Sequence, residues 1–346
     1  MPTITDVSYV ASVSGVPATA GAITGINNTG RVIGFSSTPE FTLPSKGFVA
    51  TLAGDVDSDL TRRFGGFIPR GINRSDQITG STGEVTSSVF TLHATPQISL
   101  PGVLARAINA DGVITGFTTS FPPTPFLYAP GFGINLIPGP SNFRGGGVAI
   151  NRARAIAGGG GLLGAQNHAT VWSSDTGLRD IGILYSPNFS DARAINRFGQ
   201  ATGYVRSSAF LETPFLYDPA LGTTVLLDTV GIADGVGNGI NAAGQVVGNR
   251  FVPFSGRNQA FLYTPGTGFI DLNSLPSLPS NWVLNSADAI NDFGQIAGVG
   301  TINGQVRAYR LDLPLCSLNV SPANLRAIVT PALLQISVQV GAGGCR

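Results

Sequence analysis

Short apolar segments broken by Gly, Pro and Asn follow one another along this chain, and one arrangement of them recurs. A small residue, Ile and Asn are followed by two variable positions, usually Gly, a variable position, an aliphatic, a variable position and Gly. Seven copies place their Asn at Asn27, Asn73, Asn109, Asn151, Asn196, Asn241 and Asn291. The 264 residues from first to last divide into spacings of 46, 36, 42, 45, 45 and 50, a mean of 44.

Each copy reads as a β-hairpin. An Asn at the first corner of a turn accepts from the backbone two residues on, and a Gly three positions later takes the positive φ of a type I turn with a G1 bulge. Gly30, Gly112, Gly199, Gly244 and Gly294 meet that demand, Asp76 tolerates it, and Arg154 marks the fourth copy for distortion. The closing position is Gly in every copy, which suggests close backbone approach between neighbouring units. A second hairpin follows, clearest at Phe126-Leu127-Tyr128, Phe215-Leu216-Tyr217 and Phe261-Leu262-Tyr263, and degenerate at Val89-Phe90-Thr91-Leu92 and Ala169-Thr170-Val171-Trp172. Four short strands fill each period, and a repeat of about 40–45 residues is that of a propeller blade. The prediction is an all-β, seven-bladed β-propeller. An orphan strand, Asp6-Val7-Ser8-Tyr9-Val10, pairs with the last unit near Tyr309, closes the ring and removes both free edges.

Composition agrees and narrows the partners. There are 47 Gly and 23 Pro but one Lys and three Glu, which excludes an all-helical fold. Only 11% of residues are charged and the net charge is +1, so no long-range field holds a phosphate backbone, and nucleic acid is not expected. No apolar run is long enough for a membrane-spanning helix, and the start of this chain lacks the regions of a signal peptide.

The segment Gln259-Ala260-Phe261-Leu262-Tyr263, and less closely His168-Ala169-Thr170, resembles the HAF repeat, a family of bacterial extracellular repeats. The resemblance covers residues 1–314 and implies a location outside the cell or on its surface, with no defined reaction. Beyond Pro314 the strand-rich residues 315–346 resemble the opening of a BACON-type immunoglobulin-like module, a type associated with carbohydrate attachment. Cys316 and Cys345 bracket that segment and are expected to pair if the protein is secreted.

Candidate chemistry is sparse. Gly159 to Gly164 has dinucleotide-fingerprint spacing, but a β segment follows where a helix is needed, so a flexible loop is expected. Asp55, Asp57 and Asp59 alternate as calcium ligands do, yet the glycine and distal glutamate of a calcium loop are missing. His93 and His168 stand alone, so neither metal nor cofactor is expected. Three residues before each repeat Asn stand Thr24, Arg70, Arg106, Val148, Arg193, Asn238 and Asp288, a variable and largely polar set inside a constant frame. They are expected either to line the central channel or to pair between blades. Loops bordering one face carry Phe64, Phe121, Phe143, Tyr185, Phe189, Phe210, Phe251, Phe254 and Trp282, with Asn142, Asn188, Arg206, Asp234, Arg257 and Asn281 among them. Aromatic rings beside such donors suit sugars or a protein partner. Arg70, Arg106, Arg193, Asn238, Asp288 and Trp282 are the expected ligand-binding residues of a non-enzymatic protein that binds glycan or extracellular protein. The alternatives are a polysaccharide hydrolase or lyase using Asp191, Asp234 and Asp288, and a self-associating structural subunit of a surface assembly.

Overall fold

The computed structural model describes residues 2–7, 19–37, 46–50, 56–57, 60, 67–82, 86–92, 97–139, 143–162, 166–182, 189–207, 211–227, 234–252, 256–276, 278–313, 325–330 and 333–338. Seven four-stranded antiparallel sheets make up the ring. Their innermost strands are Thr19–Ile26, Phe67–Ile72, Val103–Ile108, Phe143–Ile150, Phe189–Ile195, Gly235–Ile240 and Trp282–Ile290. Each packs against the next, and the last returns to the first. Among the described residues, helix is nearly absent.

The ring is closed by strand β1 (Thr3–Asp6), the outermost strand of the seventh blade, paired with the third strand of that blade, Gln305–Asp312. The register sets Thr3 against Asp312 and Asp6 against Tyr309, and the Val7 amide donates to Ala308 O at 3.0 Å. The closing strand therefore precedes the predicted segment, which it overlaps only at Asp6, with Val7 adding one backbone bond just beyond it, while residues 8–10 lie outside the described residues. Beyond the ring, Leu325–Thr330 and Leu333–Val338 pair as a two-stranded hairpin. Cys316 and Cys345 lie outside the described residues.

Seven apolar clusters account for the packing, and each bridges two adjacent blades. Val7, Ala297 and Ala308 of the seventh blade meet Ile23, Val32, Phe48 and Ala50 of the first, so the seam is packed like the other junctions. Burying a Val, Ile or Phe side chain is worth about 1.5–3 kcal/mol. Because these side chains are shared across junctions, no blade completes its core alone.

The seven repeat asparagines form a second closed circuit. Each Nδ2 donates to the backbone carbonyl of the next asparagine: Asn27 to Asn73 at 3.0 Å, Asn73 to Asn109 at 2.9 Å, Asn109 to Asn151 at 3.0 Å, Asn151 to Asn196 at 3.1 Å, Asn196 to Asn241 at 2.9 Å, Asn241 to Asn291 at 3.3 Å, and Asn291 back to Asn27 at 2.9 Å. All seven residues are buried. The same side chains organise their own turns, as Asn196 does by accepting from Phe198 N at 3.0 Å and Gln200 N at 3.1 Å. Among the described residues, the turn bond expected from sequence is present in six copies, while in the fourth Asn151 accepts from Ala155 N at 2.9 Å and not from Ala153 N; in every copy the amide end adds an inter-blade bond. Arg154 adopts φ +64° and keeps the turn, with its amide 3.1 Å from Asn151 O.

The closing glycines have a cause other than the one expected. A Cβ on Gly116, Gly158, Gly203 or Gly248 would lie 1.9 Å from a carbonyl oxygen of the innermost strand of its own blade. The tight approach is within the blade, beside a bulge, rather than between neighbours. In five blades a third-strand aromatic lies opposite this glycine: Phe48, Phe126, Phe215, Phe261 or Tyr309. In the second blade Ser88 takes that place and Phe90 lies two residues on, opposite Ile78. Gly159, Gly160 and Gly161 lie inside strand Ile156–Leu162 rather than in a loop.

Candidate functional site

Every innermost strand carries a one-residue register shift. The residue left unpaired is the variable one: Thr24, Arg70, Arg106, Val148, Arg193, Asn238 or Asp288. A bulge frees a residue from the ladder and re-aims its side chain, and here the seven bulges encircle the axis. From the fifth blade to the seventh they are knitted together. Arg193 Nη1 donates to Asn238 Oδ1 at 2.8 Å, and Asn238 Nδ2 reaches Asn249 Oδ1 at 3.0 Å and Ala287 O at 3.2 Å. Thr24 Oγ1 donates to Pro69 O at 3.0 Å. Arg70 and Arg106 lie over the rings of Phe35 and Phe117, at 5.9 and 5.1 Å. Thr24, Arg193 and Asn238 thus bond to the next blade, which is one of the two expected roles.

The three acids of the enzymatic alternative stand on different blades. Burial pushes the Asp288 carboxyl up to about 7, against the opposing influence of its Ser286 hydrogen bond at 3.2 Å and of Arg193. Burial raises Asp191 to about 6, again opposed by Arg193. Among the described residues, Asp191 Oδ1 has no hydrogen-bond partner and lies buried beside Gly159, where a Cβ would approach it to 2.6 Å. Asp234 accepts from Glu212 N at 3.2 Å.

The face opposite the asparagine circuit holds an open cleft of about 520 Å³ between the sixth and seventh blades. Alternation along Trp282–Ile290 builds one wall. Trp282 and Leu284 turn into the core, while Val283 and Asn285 line the cleft beside Asn281. A second bulge leaves Asn285 outside the ladder. Arg257 and Asn258 come from the sixth blade, Thr301 from the second strand of the seventh, and Asn303 and Gly304 from the turn that follows that strand. The preceding segment is pinned by Asn273, which accepts from Leu284 N at 2.7 Å and donates to Leu284 O at 2.9 Å. Among the described residues, no side-chain hydrogen bond engages Asn258, Asn281, Asn285 or Asn303. Each amide offers donors and acceptors together. With Arg257 the only charge among the described lining residues, this wall is suited to an uncharged, hydroxyl-rich ligand.

Of the six predicted ligand-binding residues, five lie on the bulge ring, and the sixth is elsewhere. Trp282 is 7% exposed and packs edge-on to Tyr309 at 6.2 Å, so it is a core residue. Arg257 and Asn281 do meet in the cleft. Phe121 is exposed, whereas Phe189 stacks on Tyr204 at 6.1 Å beneath Arg206, which pairs with Glu212. Phe143 belongs to an innermost strand. Phe64, Tyr185, Phe210, Phe254, Asn142, Asn188, His93, Asp55 and Asp59 lie outside the described residues, while Asp57 ends strand Val56–Asp57. His168 Nδ1 lies 2.5 Å from Asp180 Oδ2 in the fourth blade. Exposed aromatics also stand on the asparagine-turn face, at Phe132, Phe198 and Phe293, where none was expected. Sequence reasoning missed Asn258, Asn285 and Asn303; the period-two alternation around Trp282 was the available signal for Asn285.

A ring of seven four-stranded blades about a common axis is a β-propeller, and solved structures agree. The chain is similar to the β-propeller domain of Cps50 (Swd1) from Myceliophteria thermophila, with TM-score 0.52, 10% identity, and 85% of this chain and 97% of that one covered. It is also similar to the Pyrococcus horikoshii acylaminoacyl peptidase, with TM-score 0.56, 11% identity and 89% of this chain covered. A third likeness is to a prolyl endopeptidase, with TM-score 0.54, 11% identity and 84% of this chain covered. The chain spans about half the length of those two peptidases, 52% and 47%. Such distant likenesses show the fold alone. No family model matches the chain and no curated protein is significantly similar in sequence, so the resemblances to HAF repeats and to a BACON-type module gain no support.

Proposed function

We propose that this propeller is a non-enzymatic binding protein of the cell exterior or surface, and that it holds a neutral glycan in the cleft between its sixth and seventh blades. The observation that carries the reading is the set of four unengaged amides in one cleft. Sugar hydroxyls donate and accept at once, as amides do, and Val283 offers an apolar patch to a ring face. Among the described residues no carboxylate lines the same place for acid–base catalysis, and Asp191, Asp234 and Asp288 are not in its wall. A protein partner engaging this face through its own amides and hydroxyls is the second form of the reading.

A glycan array followed by calorimetry on the full chain tests this. Binding of a neutral oligosaccharide that falls at least tenfold in the Asn281→Ala, Asn285→Ala double variant is the expected result. Full affinity in that variant would place the ligand elsewhere. Absence of any glycan ligand, with capture of a protein blocked by the same double variant, would favour the second form.

A further inference from the structure

Two arginines stand on adjacent bulges of the ring, and among the described residues no acid neutralises either. Arg70 and Arg106 occupy the bulges of adjacent innermost strands, in the second and third blades. Those strands touch at the next residue along, where a Cβ on Gly71 would lie 3.1 Å from Ala107 Cα. Burial lowers the pKa of both guanidinium groups, and the charge of Arg106 lowers that of Arg70 further. Several other arginines that are largely buried have acidic partners: Arg31 with Asp76, Arg250 with Asp271, Arg307 with Asp6 and Arg310 with Asp312. Among the described residues, no carboxylate is within ion-pair distance of Arg70 or Arg106. The flanking bulges, Thr24 and Val148, carry no charge.

We propose that Arg70 and Arg106 form a binding site for a small oxyanion, a carboxylate or a phosphate, that enters along the channel. Like charges held together in a partly dry place are costly unless an anion sits between them. The rings of Phe35 and Phe117 support the two planar groups, and planar forks of N–H donors match the paired oxygens of a carboxylate or phosphate. The knitted half of the ring, from Arg193 to Asp288, lacks this feature because each guanidinium or amide there already has a partner. The site lies in the channel, apart from the amide cleft, and does not depend on the glycan reading.

The test uses the full chain, with inorganic phosphate and galacturonate as probes and chloride balancing ionic strength. Calorimetry and thermal unfolding should show a saturable response to at least one probe. A response to phosphate alone or to galacturonate alone supports the site and names the anion. The Arg70→Gln, Arg106→Gln double variant should lose that response and unfold no earlier than the parent without anion, because a repulsion has been removed. The Arg70→Lys, Arg106→Lys variant, which keeps charge and loses the forks, should bind about tenfold more weakly. No saturable response to either probe, or parental affinity in either double variant, would overturn the proposal.

Discussion

On one face of the ring, seven turns beginning at Asn27, Asn73 and their equivalents repeat the same inter-blade hydrogen bond. On the other, the connections 119–124, 272–281 and 303–304 share neither length nor sequence. The first face must be uniform, because each asparagine bonds to its successor and a circuit of seven bonds closes only if every blade presents the same carbonyl at the same place. The second face carries no such constraint, and there the amide cleft lies. The innermost strands join the two regimes: their bulges have fixed positions, while the side chains they present range from arginine to aspartate. Repetition in this molecule marks what holds the blades together, and variation marks what they are free to offer.

The sharpest way to break that comparison is to add one methyl group to the repeated frame. Gly203→Ala sets a Cβ 1.9 Å from Asp191 O, and the bulged strand cannot retreat without losing its ladder. The variant should lose about 3 kcal/mol or more in denaturant unfolding. Gly266→Ala is the control: its φ is +80° but nothing lies within 4 Å, so about 1 kcal/mol is expected. Equal losses would mean that conformation, and not close approach, keeps the closing position glycine.

Next in size is the circuit. Asn196→Ala removes the bond to Asn241 O and leaves the Phe198 and Gln200 amides without their acceptor, for an expected loss of about 2–3 kcal/mol by the same measurement. Asn291→Ala should cost as much, since its bond to Asn27 O joins the last blade to the first at 2.9 Å. A much smaller loss at Asn291 would show that the seam rests on strand β1 and not on the circuit.

The sequence made the frame readable because the demands on it are periodic. Seven asparagines, seven closing glycines and the aromatic third strands gave the blade count, the strand count and the principle of closure. It did not reveal that Asn Nδ2 reaches the next blade, since a spacing of about 44 residues shows that two positions are equivalent and not that they touch. The bulge positions were found as variable residues in a constant frame, although the register shift that creates them has no local signature. The cleft was read least well. The sequence points to Arg257 and Asn281 but reads Trp282 as a surface ring, because composition cannot tell which side of a strand an aromatic occupies. Asn258 and Asn285 converge from strands of two blades and Asn303 from a turn, at positions that obey no repeat.

A test of intermediate size lies at the junction of the two regimes. Burial lifts the Asp288 carboxyl to about 7, above the range near 4 of an unfolded aspartate, so the folded state holds the extra proton between those values. Stability should therefore fall as pH rises from 4 to 7. Asp288→Asn should flatten part of that slope and, at pH 8, exceed the parent by about 1–2 kcal/mol, a figure discounted for contact with channel solvent. Asp191, lifted to about 6, adds to the slope in the same direction and leaves a remainder in the variant. Parallel parent and variant profiles from pH 4 to 8 would show that the bulge aspartate is as freely solvated as any loop residue.

The smallest effect on stability belongs to the cleft, and it tests the comparison most directly. Asn281 and Asn303 are exposed, Asn285 sits in a bulge, and no side-chain hydrogen bond among the described residues depends on any of them. Asn281→Ala with Asn285→Ala should shift unfolding by no more than about 0.5 kcal/mol, as surface changes away from caps and cores do. The same double variant is the one expected to lose ligand at least tenfold. The two measurements together separate the regions: the asparagines of the circuit carry stability, and those of the cleft carry binding. A loss of several kcal/mol from the cleft pair would mean that these amides brace the junction of the sixth and seventh blades, and the division of labour between the two faces would fail at the place where it is drawn most sharply.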